Sequence, residues 1–139
     1  LNGYFCDFDR NFGFGKISQA SLDAYTKLWE AIESTLEIIK PGISCAEIYS
    51  ALSNYFLKEN NSNGSVGRMG HGLGLQLTEP PSIMQSDQTI LEKNMIITLE
   101  PSIELSKNTT LVQEENILIT EDGYKLLSTR TPEKLPIIN

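Results

Sequence analysis

Met95–Thr120 reads MIITLEPSIELSKNTTLVQEENILIT. Two runs of strand character, MIITLEPSIEL and LVQEENILIT, flank SKNTT, a turn-forming composition. If the runs pair as a hairpin centred on Lys107, residues equidistant from that lysine face one another, and Glu100 lies opposite Glu114. Two carboxylates directly opposed on one face of a sheet repel unless something positive sits between them. Neither strand contains a lysine or arginine to fill that place.

Further acids raise the same question. In CDFD, which continues a stretch Gly3–Phe8 that reads as a strand, Asp7 and Asp9 share one face because side chains alternate along a strand with a period of two. The stretch GRMGHGLGLQLTEPPS, Gly67 to Ser82, carries the single histidine of the chain, His71, set among glycines. Carboxylates with one imidazole form a mostly oxygen donor set that suits manganese, zinc, cobalt or ferrous iron rather than a thiolate-type site. Spacing alone favours the plainer alternative, in which the acids are solvated strand residues and His71 is a satisfied loop residue.

Composition narrows the classes. At 139 residues, 40% hydrophobic and 21% charged, the chain has ordinary globular usage and length for one domain with a sizeable core. No apolar run argues a membrane span, and LNGYFCDFDR lacks the basic and apolar regions of a signal peptide. Cys6 and Cys45 lie in no CxxC pattern, which fits free thiols and a cytoplasmic setting. A net charge of -7 argues against nucleic acid and anionic membrane surfaces as partners. It is compatible with carboxylates that a cation neutralises. A strand at the very start, with no cap, helix or Met before it, reads as a fragment of a longer parent.

Two helices separate the first acids from the histidine. Leu22, Tyr25, Trp29, Ile32, Leu36 and Ile39 recur every three or four residues, which predicts an amphipathic helix ending at Pro41–Gly42. Ser44 with Glu47 forms a capping-box pattern opening a second helix, whose buried face is Ile48, Leu52 and Tyr55. The polar ENNSNG, residues 59–64, ends it, and a loop is expected after Pro80–Pro81.

Four pieces in order, NGYFCDFDRNFGFG, GHGLG followed by TEPPS, LEKNMIITLEPSI and EENILITEDGYKLL, with KPGIS between the first two, resemble the creatinase, aminopeptidase P and prolidase family of pita-bread metallopeptidases. The resemblance covers essentially the whole chain. It implies an α+β pita-bread fold, a curved antiparallel sheet flanked by helices, of which residues 1–139 form a C-terminal portion lacking the N-terminal part of the catalytic domain. It also implies a metal-dependent hydrolase acting on an amide C–N bond with a dinuclear metal-activated water. The metal ligands carried over are Asp7, His71, Glu100 and Glu114, with manganese the first choice of two divalent ions and zinc, cobalt or iron as alternatives. Glu100, His71 and Thr78 are the catalytic candidates, Glu100 as the proton acceptor. A peptide or small amide is the expected substrate and a homodimer the expected parent.

Departures from the family pattern bear on substrate. The family's first metal aspartate falls upstream of Leu1. Thr78 replaces a histidine before Glu-Pro-Pro, and Val112 stands where many members have an arginine. Asn94 replaces a turn glycine, and asparagine is well suited to positive φ. A creatinase-like hydrolase of a small non-peptide metabolite, or an inactive pita-bread binding module, are the alternative readings.

Overall fold

The computed structural model describes residues 2–58 and 67–138; residues 59–64, read as the loop after the second helix, lie outside the described residues. Helix α1, Gln19–Leu36, begins at Ser18, whose hydroxyl accepts the Ser21 N–H at 3.2 Å. Its buried face is Ala24, Tyr25, Leu28, Ala31, Ile32, Thr35 and Leu36. The expected stripe is thus rotated towards the alanines, which let the helix approach its neighbours closely, while Leu22 and Trp29 are only half-buried. Trp29 has a reason to stay at the edge. Its indole N–H donates to Thr131 O at 3.0 Å and its ring lies under the Arg130 guanidinium. Helix α1 stops before Pro41–Gly42, and Ile39 nevertheless reaches the core.

The capping box opens helix α2, Cys45–Lys58, as expected. Ser44 Oγ accepts the Glu47 N–H at 3.2 Å, and the Glu47 carboxylate accepts both the Ser44 N–H at 2.8 Å and its hydroxyl at 2.6 Å. These bonds hold the Glu47 carboxyl below its ordinary range. Ile48, Leu52 and Phe56 are buried, with Tyr55 partly so.

The strands are β1 (Gly13–Phe14), β2 (His71–Gly72), β3 (Glu79–Ser82), β4 (Ile96–Leu99), β5 (Ser102–Ser106), β6 (Thr109–Val112), β7 (Glu115–Ile119), β8 (Tyr124–Leu126) and β9 (Ile137–Ile138). A five-stranded antiparallel sheet runs β3-β2-β4-β7-β8. Strands β5 and β6 form a separate ladder, and β1 pairs with β9 in parallel. The cis Pro80–Pro81 bond lies within β3, and the expected loop follows directly after Ser82.

The hairpin register centred on Lys107 holds on both sides of an interruption. Thr98 pairs with Asn116 and Leu99 with Glu115 in one ladder, Ser102 with Val112 and Ile103 with Leu111 in the other. Only the tip shifts, between Glu104 and Ser106. Pro101, which has no N–H to give, and the departure of the Glu100 N–H to Met69 O at 2.9 Å account for the gap. The gap falls at Glu100 and Glu114. One face of β4 and β7 presents Ile97, Leu99, Ile117 and Ile119 to the apolar core shared with both helices. The other face carries Thr98 and Asn116, and the register continues it to Glu100 and Glu114.

Candidate metal centre

The first acid does not reach the site as a strand residue. Residues 4–12 form no strand; the first is β1, at Gly13–Phe14. The segment is instead tied down by side chains. Asn116 donates from Nδ2 to Asp7 O at 2.6 Å and accepts the Asp7 N–H on Oδ1 at 3.4 Å, so one carboxamide stands in for a strand partner. Arg10 then donates to Glu114 O at 2.5 Å, Thr129 O at 2.9 Å and the Glu115 carboxylate at 3.0 Å. Glu115, fully buried on the helix-facing side of β7, also accepts from Arg130 and Thr131. The ion-pair network thus borders the acid cluster, tied to it through the Glu114 carbonyl.

His71 sits on β2, 1% exposed. Its backbone N–H donates to Thr98 Oγ1 at 3.1 Å, and ring Nδ1 lies 2.8 Å from Gly72 O. A carbonyl can only accept, so Nδ1 is the donor in that contact and Nε2 is the ring nitrogen turned to the acids. The glycines around it are required by close approach. A Cβ on Gly70, at φ 152°, would overlap the Thr98 carbonyl oxygen, and one on Gly72 would overlap that of Pro80.

His71 Nε2 points at carboxylates, 3.5 Å from Glu100 Oε2 and 4.0 Å from Asp7 Oδ2. Asp7, His71 and Glu114 each offer a donor atom, all within 4.8 Å of one another. Glu114 is 1% exposed, and its Oε1 is buried with no hydrogen-bond partner. Burial first, then the charges of Asp7, Glu100 and Asp9 and a hydrogen bond with Glu100, push its carboxyl up to about 8. Asp9 is raised for similar reasons, burial and then Asp7, with Arg10 opposing. Arg68 meets Glu100 Oε1 at 3.3 Å, 40% exposed. That cation comes from the loop before β2 and not from either strand that carries the acids.

The geometry therefore assembles Asp7, His71, Glu100 and Glu114 from four separate segments. An orphaned carboxylate oxygen, an imidazole nitrogen facing carboxylates and clustered negative charge together fit a cation. Thr78 is exposed in the bend before β3 and makes no hydrogen bond to these four side chains among the described residues. Val112 is half-buried at the end of β6, its carbonyl accepting from Asn11 Nδ2 at 2.6 Å. Asn94 has φ 73°, as its place in the family's glycine turn implies. Arg10, Thr98 and Asn116 went unread in the sequence. For the last two the signal was present, since each lies two residues from an expected ligand on the same strand face.

Residues 1–121 match the model for metallopeptidase family M24. The chain is 33% identical over 134 residues to the Xaa-Pro dipeptidase of Pyrococcus furiosus, with 96% of this chain and 38% of that protein covered. In structure it resembles the X-Pro aminopeptidase from Thermotoga maritima, with a TM-score of 0.90 at 26% identity over 98% of this chain and 38% of that one. It likewise resembles the prolidase from Pyrococcus furiosus, with a TM-score of 0.88 at 31% identity over 94% of this chain and 39% of that one. The α+β pita-bread fold expected from the sequence is borne out as a portion of those larger chains. The chain spans about two-fifths of the length of these relatives.

Proposed function

The chain belongs to metallopeptidase family M24, and from that premise we propose that Asp7, His71, Glu100 and Glu114 hold two divalent ions in an enzyme that hydrolyses an amide C–N bond, first of all in Xaa-Pro peptides. The observation that carries this is the orphaned, buried Glu114 Oε1 beside His71 and Asp7. A buried carboxylate oxygen without a donor is costly unless a cation takes the donor's place. Manganese is the first candidate and zinc, cobalt or iron the alternatives, given a donor set of three carboxylates and one imidazole.

Divalent ions supply Lewis acidity, which makes water nucleophilic near neutral pH and polarises an amide carbonyl. This chain's residues do the rest. Glu100 takes the proton released by the attacking water and passes it to the departing nitrogen, so that the elements of water are added across the C–N bond. Its position suits the task, between His71 and the half-exposed Arg68. His71 presents Nε2 because Gly72 holds the other ring nitrogen's hydrogen. Thr78 offers a hydrogen bond but no cationic acid, so proton delivery rests on Glu100.

A second substrate reading follows from Thr78 and Val112. Without the family's histidine and arginine at these positions, peptide binding loses two charged partners, which favours a smaller, non-peptide amide. Metal content decides the first point. His71→Ala, Glu100→Gln and Glu114→Gln in the full-length protein should each lower bound metal in elemental analysis and remove most activity. Cys6→Ser and Cys45→Ser should do neither. Full metal content in all three ligand variants would refute the assignment.

A further inference from the structure

Resting on the metal-site reading, we infer that Thr98 and Asn116 are a pair of positioning residues, a second row of the sheet that sets two of the ligands by their backbones. The pair is built into the register. Thr98 on β4 faces Asn116 on β7, and each strand carries a candidate ligand two residues on, Glu100 and Glu114, where the ladder breaks off. Each member of the pair reaches outward to a residue that its own strand does not carry. Thr98 Oγ1 accepts the backbone N–H of His71 at 3.1 Å, and Asn116 grips both the carbonyl and the N–H of Asp7.

The arrangement answers a problem the fold creates. Glu100 and Glu114 are placed by the hairpin, but Asp7 arrives on a segment with no strand of its own. A ligand displaced by ~1 Å loses much of its value, so side chains that fix ligand orientation are commonly worth about 10- to 100-fold in metal affinity. Asn116 is suited to this because a carboxamide alone carries a donor and an acceptor side by side, matching one residue's C=O and N–H. Both side chains are buried, Thr98 fully and Asn116 to within 3%, so none of their bonds competes with bulk water. The three bonds act on the ligands' backbones and touch neither reacting atoms nor carboxylates.

The test is calorimetric titration of the metal-free full-length protein with Mn²⁺ alone, alongside its thermal unfolding without metal. Thr98→Val keeps the shape and drops the hydroxyl; Thr98→Ser restores it. Asn116→Ala drops both bonds to Asp7, and Asn116→Asp keeps the acceptor while losing the amide donor. We expect Thr98→Val and Asn116→Ala to weaken Mn²⁺ binding about 10- to 100-fold. Thr98→Ser should stay within about 3-fold of wild type, and Asn116→Asp should fall below it. A purely structural role predicts the opposite split, with lower metal-free melting temperatures and an unchanged Mn²⁺ Kd in the folded protein. That split would overturn the inference, and so would failure of Thr98→Ser to rescue. If a variant does not fold, the conservative change at the same position carries the comparison. Wild-type protein that binds no Mn²⁺ would sink the metal reading itself, and this inference with it. Wild-type binding with unaffected variants would sink only this one.

Discussion

Replacing Glu114 by glutamine should stabilise the metal-free protein and destabilise the metal-loaded one, a change of sign that simple core damage cannot produce. The Glu114 carboxyl, ordinarily at 4.5, is pushed up to about 8 by burial and by the neighbouring Asp7, Glu100 and Asp9 charges. Because the folded chain holds this proton more tightly than the unfolded chain, stability is fullest below about pH 4.5. It falls as pH rises through the interval to about 8 and is flat beyond it. At ~1.4 kcal/mol per pH unit the whole interval corresponds to on the order of 4–5 kcal/mol, shared across the coupled acids. Glutamine keeps the shape and has nothing to ionise. Urea unfolding of the full-length protein in chelator at pH 5, 7 and 9 should show wild type weakening relative to Glu114→Gln as pH rises. The variant should be the more stable at pH 9. Added Mn²⁺ should reverse that order, because binding to the folded state stabilises wild type and the variant has lost a ligand. Parallel pH dependences for the two proteins in chelator would refute the account of Glu114.

Ser44→Ala should cost about 1 kcal/mol by removing the cap of α2. The Glu47 carboxyl is held low by Ser44, so its contribution is present above the ordinary glutamate range and lost as pH falls through the lowered folded value. Acid unfolding of Glu47→Gln should lack that component, and an acid limb identical to wild type would contradict it. Thr78→His and Val112→Arg should improve Xaa-Pro cleavage relative to small cyclic and acyclic amides, since each charged hydrogen bond is worth ~1.5–3 kcal/mol, or about 10- to 150-fold. Efficient wild-type Xaa-Pro cleavage unimproved by either change would leave an ordinary proline peptidase. Residues 1–139 expressed alone should self-associate in sedimentation, because Tyr4, Phe5, Phe8, Phe12 and Phe14 are exposed, Phe14 to 73%. A monomer with a sharp thermal transition would contradict this.

The sequence made the hairpin legible because its turn composition and the equidistance of Glu100 and Glu114 from Lys107 required no tertiary information. The capping box at Ser44 was legible for the same reason, both partners lying within one turn of helix. What stayed hidden depends on contacts across the chain. Asp7 was read as a strand residue from the alternation in CDFD, yet it is positioned by Asn116, 109 residues away. Local pattern cannot show such a substitute for strand pairing. The buried face of α1 includes Ala24 and Ala31 and leaves Trp29 at its edge, which periodicity of large apolar residues does not show, since small residues gain their importance only when another element packs against them. The counter-charge beside Glu100 is not legible in the two acidic strands, because Arg68 arrives from the loop before β2, 32 residues away in sequence.

The central claim, that the acid and imidazole cluster holds divalent ions needed for amide hydrolysis, is tested most directly by turnover of an Xaa-Pro dipeptide. The full-length protein is assayed before chelation, after it, and after Mn²⁺ is returned. Loss of turnover on chelation and its recovery with Mn²⁺, but not in Glu114→Gln, is the result this account predicts. Unchanged turnover in the chelated protein would contradict it and leave a metal-free hydrolysis in its place.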